Sequence, residues 1–124
     1  MTRFRTLALL GALAGTLVVV APSNASKTAL PKLTGTVGPG FTISMKRLGK
    51  PFKVIKPGSY SITVADKSNI HNFHLRGPGV NKEITSVSFV GTKTVIVKVR
   101  KGKYTFVCDP HATIMKGKFV VKAP

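Results

Sequence analysis

The most regular alternation of apolar and polar positions lies near the end of the chain. In Tyr104-Thr105-Phe106-Val107-Cys108, positions 104, 106 and 108 fall on one face of a strand and 105 and 107 on the other. Asp109-Pro110 breaks that strand, because proline removes a ladder donor and fixes its own φ. A loop follows, which Gly117 can turn back into a last strand over 118–122. Two more segments alternate clearly. Over 59–65, Tyr60, Ile62 and Val64 oppose Ser61 and Thr63; over 92–100, Val95, Val97 and Val99 oppose Ile96. Phe41-Thr42-Ile43-Ser44-Met45 alternates after the turn Gly38-Pro39-Gly40, while 46–50 reads as a basic connection. Phe52 and Val54 share a face ahead of a turn at Pro57-Gly58. Residues 66–69 form a loop that delivers Ile70 and His71, and Arg76-Gly77-Pro78-Gly79 closes the element that follows. Residues 80–90 have no clean period; they read as a loop with one short strand at 87–89. No helical period, heptad or internal repeat is present. Short alternating strands between Gly/Pro turns predict an all-β sandwich.

The first residues follow a different pattern. Met1-Thr2-Arg3-Phe4-Arg5 leads into an apolar run over 7–21 and then Pro22-Ser23-Asn24-Ala25. A basic head, an apolar middle and small residues two apart describe a secretory signal peptide, residues 1–25, with cleavage expected after Ala25. The alternative is an uncleaved membrane anchor. The run is short for a span and is diluted by Gly11, Gly15 and Thr16, which favours cleavage. The remaining domain, 26–124, is long enough for one modest core, and an exported location is expected, whether periplasmic, in the cell envelope or extracellular.

Charge narrows the partners. The chain of 124 residues holds 20 Lys+Arg against 3 Asp+Glu. Loss of Arg3 and Arg5 with the leader leaves 18 basic and 3 acidic side chains, a net +15. Such a field draws anionic partners, most strongly at low salt. Candidates are an acidic redox protein or an anionic envelope surface. Nucleic acid is disfavoured, since the chain carries an export signal and no recognised nucleic-acid motif. One cysteine excludes an internal disulfide, and a monomer is expected. A lone thiol in an exported chain calls for an explanation, either burial or ligation.

Ligation has the better support. Cys108, His111 and Met115 bring a thiolate, an imidazole and a thioether into one tight turn. These are donors that copper prefers, and two histidines, a cysteine and a weak axial methionine make the blue-copper set. Ile70-His71-Asn72-Phe73-His74-Leu75 can supply the second histidine. Here the sequence resembles the cupredoxins, the plastocyanin and amicyanin group in particular. Their pattern of His-Asn followed by Cys-x-x-His-(loop)-Met-x-Gly stands here as His71-Asn72, Cys108-Asp109-Pro110-His111 and Met115-Lys116-Gly117. Tyr104-x-Phe106-x-Cys108 matches the aromatic strand leading to the family's cysteine. The resemblance implies a Greek-key β-sandwich with one type 1 copper at one end, held by His71, Cys108, His111 and Met115. It also implies that Asn72 ties the two ligand segments together. Three residues separate His111 from Met115, one fewer than in plastocyanins and one more than in amicyanins.

His74 competes with His71 as a ligand. On a straight strand the two point to opposite faces, so both reach one ion only if the strand bends. The amicyanins also carry His-Asn-x-His with the first histidine as ligand, which assigns His71 to the metal and His74 to the outer surface. Around His111, Pro110, Ala112, Thr113 and Ile114 are expected to form a mostly apolar patch, with the imidazole edge at the surface and His71 deeper. The expected function is a small blue-copper carrier of single electrons with no catalysis of its own. The alternatives are a copper-binding or copper-delivery protein using the same ligands, and a structural domain of the same fold. A multicopper oxidase does not fit a chain this small with three histidines.

Overall fold

The computed structural model describes residues 11–22 and 28–124. The basic head of the expected signal peptide and its cleavage point after Ala25 lie outside the described residues. Residues 11–22 are exposed and carry no regular structure. Among the described residues, no helix is long and apolar enough to cross a membrane.

Ten strands follow in chain order: β1 (Lys32–Val37), β2 (Ile43–Arg47), β3 (Lys50–Pro51), β4 (Val54–Ile55), β5 (Gly58–Asp66), β6 (Phe73–Gly77), β7 (Val80–Thr85), β8 (Gly91–Val99), β9 (Gly102–Val107) and β10 (Lys116–Val121). They build two five-stranded sheets, β3-β2-β1-β5-β8 and β4-β10-β9-β6-β7. The pairs β1–β5 and β10–β4 are parallel and the other pairs antiparallel. The expected β-sandwich is therefore present. Alternation builds its core: Leu33, Val37, Tyr60, Ile62, Val64, Val97 and Val99 face Phe73, Leu75, Tyr104, Phe106, Phe119 and Val121, all buried. Each such side chain taken fully out of water contributes roughly 1.5–3 kcal/mol before entropy is charged against it.

Stacked aromatics join the second sheet to this core. Phe73 and Phe106 lie parallel with centroids 5.7 Å apart, and Tyr104 and Phe119 at 5.2 Å. Gly117 pairs with Phe106 across β9 and β10, and a Cβ there would collide with the Phe106 ring. Gly117 thus does not act as the turn expected of it. It lies inside β10 with no left-handed φ, and its role is to leave room for an aromatic ring.

Three sequence readings change. Residues 87–89 form no strand; the strand is β7, followed by a turn in which the Phe89 N–H donates to the Ser86 carbonyl at 3.1 Å. β7 is an edge strand with Asn81, Lys82 and Glu83 all exposed, so it shows no alternation. Residues 46–50 are not merely a connection: they close a tight hairpin between β2 and β3, with Leu48 and Gly49 at positive φ. Phe41 stands ahead of β2 rather than in it, and is 56% exposed.

Candidate metal centre

Three connections meet at one end of the sandwich: β1–β2, β5–β6 and β9–β10. His71 and Asn72 sit immediately before β6, and Cys108 immediately after β9, its neighbour in the sheet. The β9–β10 connection is closed by its own backbone. The His111 N–H donates to the Cys108 carbonyl at 3.0 Å across a short 3₁₀ turn, Asp109–His111, in which Pro110 needs no donor of its own. The Met115 N–H donates to the His111 carbonyl at 2.8 Å, and the Cys108 N–H to the Met115 carbonyl at 3.0 Å. Cysteine and methionine are therefore joined directly through their main chains.

This geometry gathers the two imidazoles and the thiol of the expected donor set. His71 Nδ1 and His111 Nδ1 are 3.1 Å apart, and each lies 3.6 Å from Cys108 Sγ. A triangle with those three sides has its centre about 2.0 Å from each corner, an ordinary bond length from nitrogen to a first-row metal. A cation standing among two imidazole nitrogens and a thiolate would meet all three at bonding distance. His71, Cys108 and Met115 are fully buried, whereas His111 is partly exposed. His71 lies deep and His111 reaches the surface, as expected. The His71 ring turns Nδ1 to the cluster, and its Nε2 is buried with no hydrogen-bond partner.

Asn72 locks the two segments together. Its Oδ1 accepts from the Asp109 N–H at 2.7 Å, and its Nδ2 donates to Asp109 Oδ2 at 2.8 Å and to Glu83 Oε2 at 2.9 Å. Fully buried, it fixes the residue that follows Cys108 to the residue that follows His71. His74 faces away from the donor cluster. Its Nδ1 lies 2.7 Å from Asp109 Oδ2, and the Arg76 guanidinium lies 3.1 Å from Asp109 Oδ1. Burial alone would push the Asp109 carboxyl up. Hydrogen bonds from Asn72 and His74, with the charges of His74 and Arg76, together hold it below the ordinary carboxylate value. His74, Glu83 and Asp109 also bring donor atoms within 4.8 Å of one another. Both Asp109 oxygens and one Glu83 oxygen are engaged by Asn72, His74 and Arg76, so this is a hydrogen-bonded ion-pair cluster.

Phe41 is the residue that sequence reasoning missed. Its ring meets His71 and His111 edge-on, with centroids at 5.3 and 4.9 Å, and covers the gap between the two imidazoles. With Ile70, 49% exposed, and Ile114, 64% exposed, it enlarges the apolar surface around His111. The only sequence signal was its place directly after Gly38-Pro39-Gly40, where a strand had been expected to begin.

The family model for copper binding proteins of the plastocyanin/azurin family matches residues 44–122. The chain belongs to this family. Among solved structures it is similar to rusticyanin from Thiobacillus ferrooxidans, at 27% identity and a TM-score of 0.53, over 73% of this chain and 76% of that one. Reduced rusticyanin matches at 28% identity and a TM-score of 0.54, over 73% and 78% of the two chains. A methionine-to-glutamine mutant of rusticyanin gives 27%, 0.54, 73% and 76%. No match was found among curated proteins. In this cupredoxin the donor set and its spacing fit one type 1 copper.

Proposed function

We propose that this cupredoxin is an exported electron carrier, made with a signal peptide over 1–25, whose mature domain begins at Ser26. It passes single electrons between redox partners and performs no catalysis of its own. His71, Cys108 and His111 would hold copper through Nδ1, Sγ and Nδ1, with Met115 as the weak fourth ligand. The observation carrying this reading is the convergence of those three atoms at 3.1–3.6 Å, fixed by backbone and Asn72 hydrogen bonds.

When bound, copper supplies one-electron chemistry at a site acceptable to both of its oxidation states. The chain does the rest. The closed β9–β10 loop and the sandwich beneath it keep the ligands from moving between states. Phe41 and the buried walls exclude water. His111 offers a partly exposed edge within an apolar surface suited to brief contact, and the lysines outside that surface would attract an anionic partner such as an acidic redox protein or an anionic envelope surface.

Copper(II) titration followed by visible spectroscopy tests this. An intense thiolate-to-copper band should grow to one equivalent and be absent in Cys108→Ser. His71→Ala should abolish it, whereas His74→Ala should leave it nearly intact. A colourless complex would favour copper delivery over electron transfer. Loss of the band in His74→Ala with retention in His71→Ala would overturn the ligand assignment.

A further inference from the structure

The positive charge of this chain is almost wholly unanswered. Among the described residues the ion pairs are both made by Asp109, with His74 and Arg76, and no lysine has a carboxylate partner. Both sheets carry some of those lysines, and on the second sheet strand register sets them around two grooves. On the outer face of the second sheet, Arg76, Thr105 and Lys118 form one row across β6, β9 and β10, and His74, Val107 and Lys116 form the next. Lys103, Val120 and Val54 form a third row across β9, β10 and β4. Two shallow grooves run over these rows. One, of 610 Å³, is lined by Arg76, Thr105, Val107, Lys116, Gly117 and Lys118. The other, of 510 Å³, continues from Thr105 and Lys118 past Lys103 and Val120 to Lys53 and Val54. The floor is aliphatic and the rim cationic.

We infer that this face is a docking surface for an extended acidic segment of a partner protein. Four strands side by side span about 14 Å, the length of four or five residues of extended chain. A segment of that length brings about two or three carboxylates to the ammonium groups of Lys53, Lys103, Lys116 and Lys118 and lays its aliphatic groups over Val54 and Val120. The valines favour polypeptide over a phosphate-bearing surface, since phosphate needs the rim but has nothing to lay on the floor. The face is separate from the apolar surface around His111, although Val107 and Lys116 adjoin Cys108 and Met115 in sequence. The inference rests on the reading of an anionic protein partner, and it does not depend on electron transfer.

The test is binding of a ten-residue peptide of glutamates interspersed with leucines to the full ¹⁵N-labelled chain, followed by amide shifts. Two double variants are compared, each lowering the net charge by the same amount. Lys103→Glu/Lys118→Glu changes the grooves, and Lys46→Glu/Lys98→Glu changes exposed positions on the other sheet. The expected result is shifts over 103–107 and 116–120, with affinity weakened about tenfold or more by the first variant and less than about twofold by the second. Equal weakening by both would mean that only the overall field acts, and would overturn the inference. So would an absence of shifts on this sheet, or binding of phosphatidylglycerol vesicles by these residues while the peptide fails. Copper titration stands apart: a blue site without peptide binding refutes this inference alone, and peptide binding without a blue site refutes the carrier reading alone.

Discussion

Asp109 is one of three acidic side chains in the whole sequence, and Asn72, His74 and Arg76 all reach for its carboxylate. A carboxyl held below its ordinary value stabilises the fold above that value and loses this contribution as pH falls toward the folded value. In the metal-free chain, Asp109→Asn should therefore lower the urea midpoint at neutral pH. The gap between variant and parent should narrow as pH drops below the ordinary value of 3.8 and then close. A gap that persisted in strong acid would show that the side chain acts by shape and not by charge. The side chain is 35% exposed, so the effect should be modest. At this scale the donors were legible, because Cys-x-x-His and a downstream methionine are local in sequence. The tie from Asn72 was implied by the resemblance, but the hold of His74 and Arg76 on Asp109 was not legible. It depends on β6 and β7 lying beside the loop, which no spacing in the sequence reveals.

At the scale of elements, β9 and β10 carry most of the information. The alternation of β9 was legible because one face is core and the other solvent, and β10 was read only as the strand the loop returns into, whereas β7 at a sheet edge has little to bury and left no pattern. Phe41 misled for a related reason: an apolar residue two positions before Ile43 fits a strand as well as it fits a cover over the two histidines. Gly117 was legible as a necessary glycine but for the wrong reason, since the Phe106 ring that excludes a Cβ sits on the neighbouring strand. Gly117→Ala should therefore cost about 1–3 kcal/mol, the usual range for overpacking a filled core. Urea unfolding should show it as a lowered midpoint with unchanged slope. Because Phe106 is two residues from Cys108, the copper(II) spectrum should shift as well. An unperturbed midpoint would mean that the ring moves aside at little expense.

For the molecule as a whole, charge and shape divide the work of meeting a partner. Under the proposed carrier function, the lysines would draw a small anionic donor from a distance, while the apolar end around His111 would make the contact through which the electron passes. Screening separates them, because the range of the field shrinks to about 10 Å at 0.1 M salt. Electron transfer from an anionic donor such as ferrocyanide should slow as salt is raised. Ile114→Glu should slow transfer further even at high salt, by spoiling the contact face. Rates indifferent to salt would leave the basic surface with no part in electron uptake. The sandwich was readable from its alternation, but the rows that set Arg76, Lys103, Lys116 and Lys118 around Val54 and Val120 were not, since they come from register between β6, β9, β10 and β4. One consequence of the β9–β10 loop reaches beyond this chain. Its hydrogen bonds run from Cys108 to His111, from His111 to Met115 and from Met115 back to Cys108, so the ligand frame is closed without any side chain of Ala112, Thr113 or Ile114. Those three positions stand exposed at the tip. They form an exchangeable cartridge: three side chains can be rewritten by descent, or by a designer, with every one of those main-chain bonds kept.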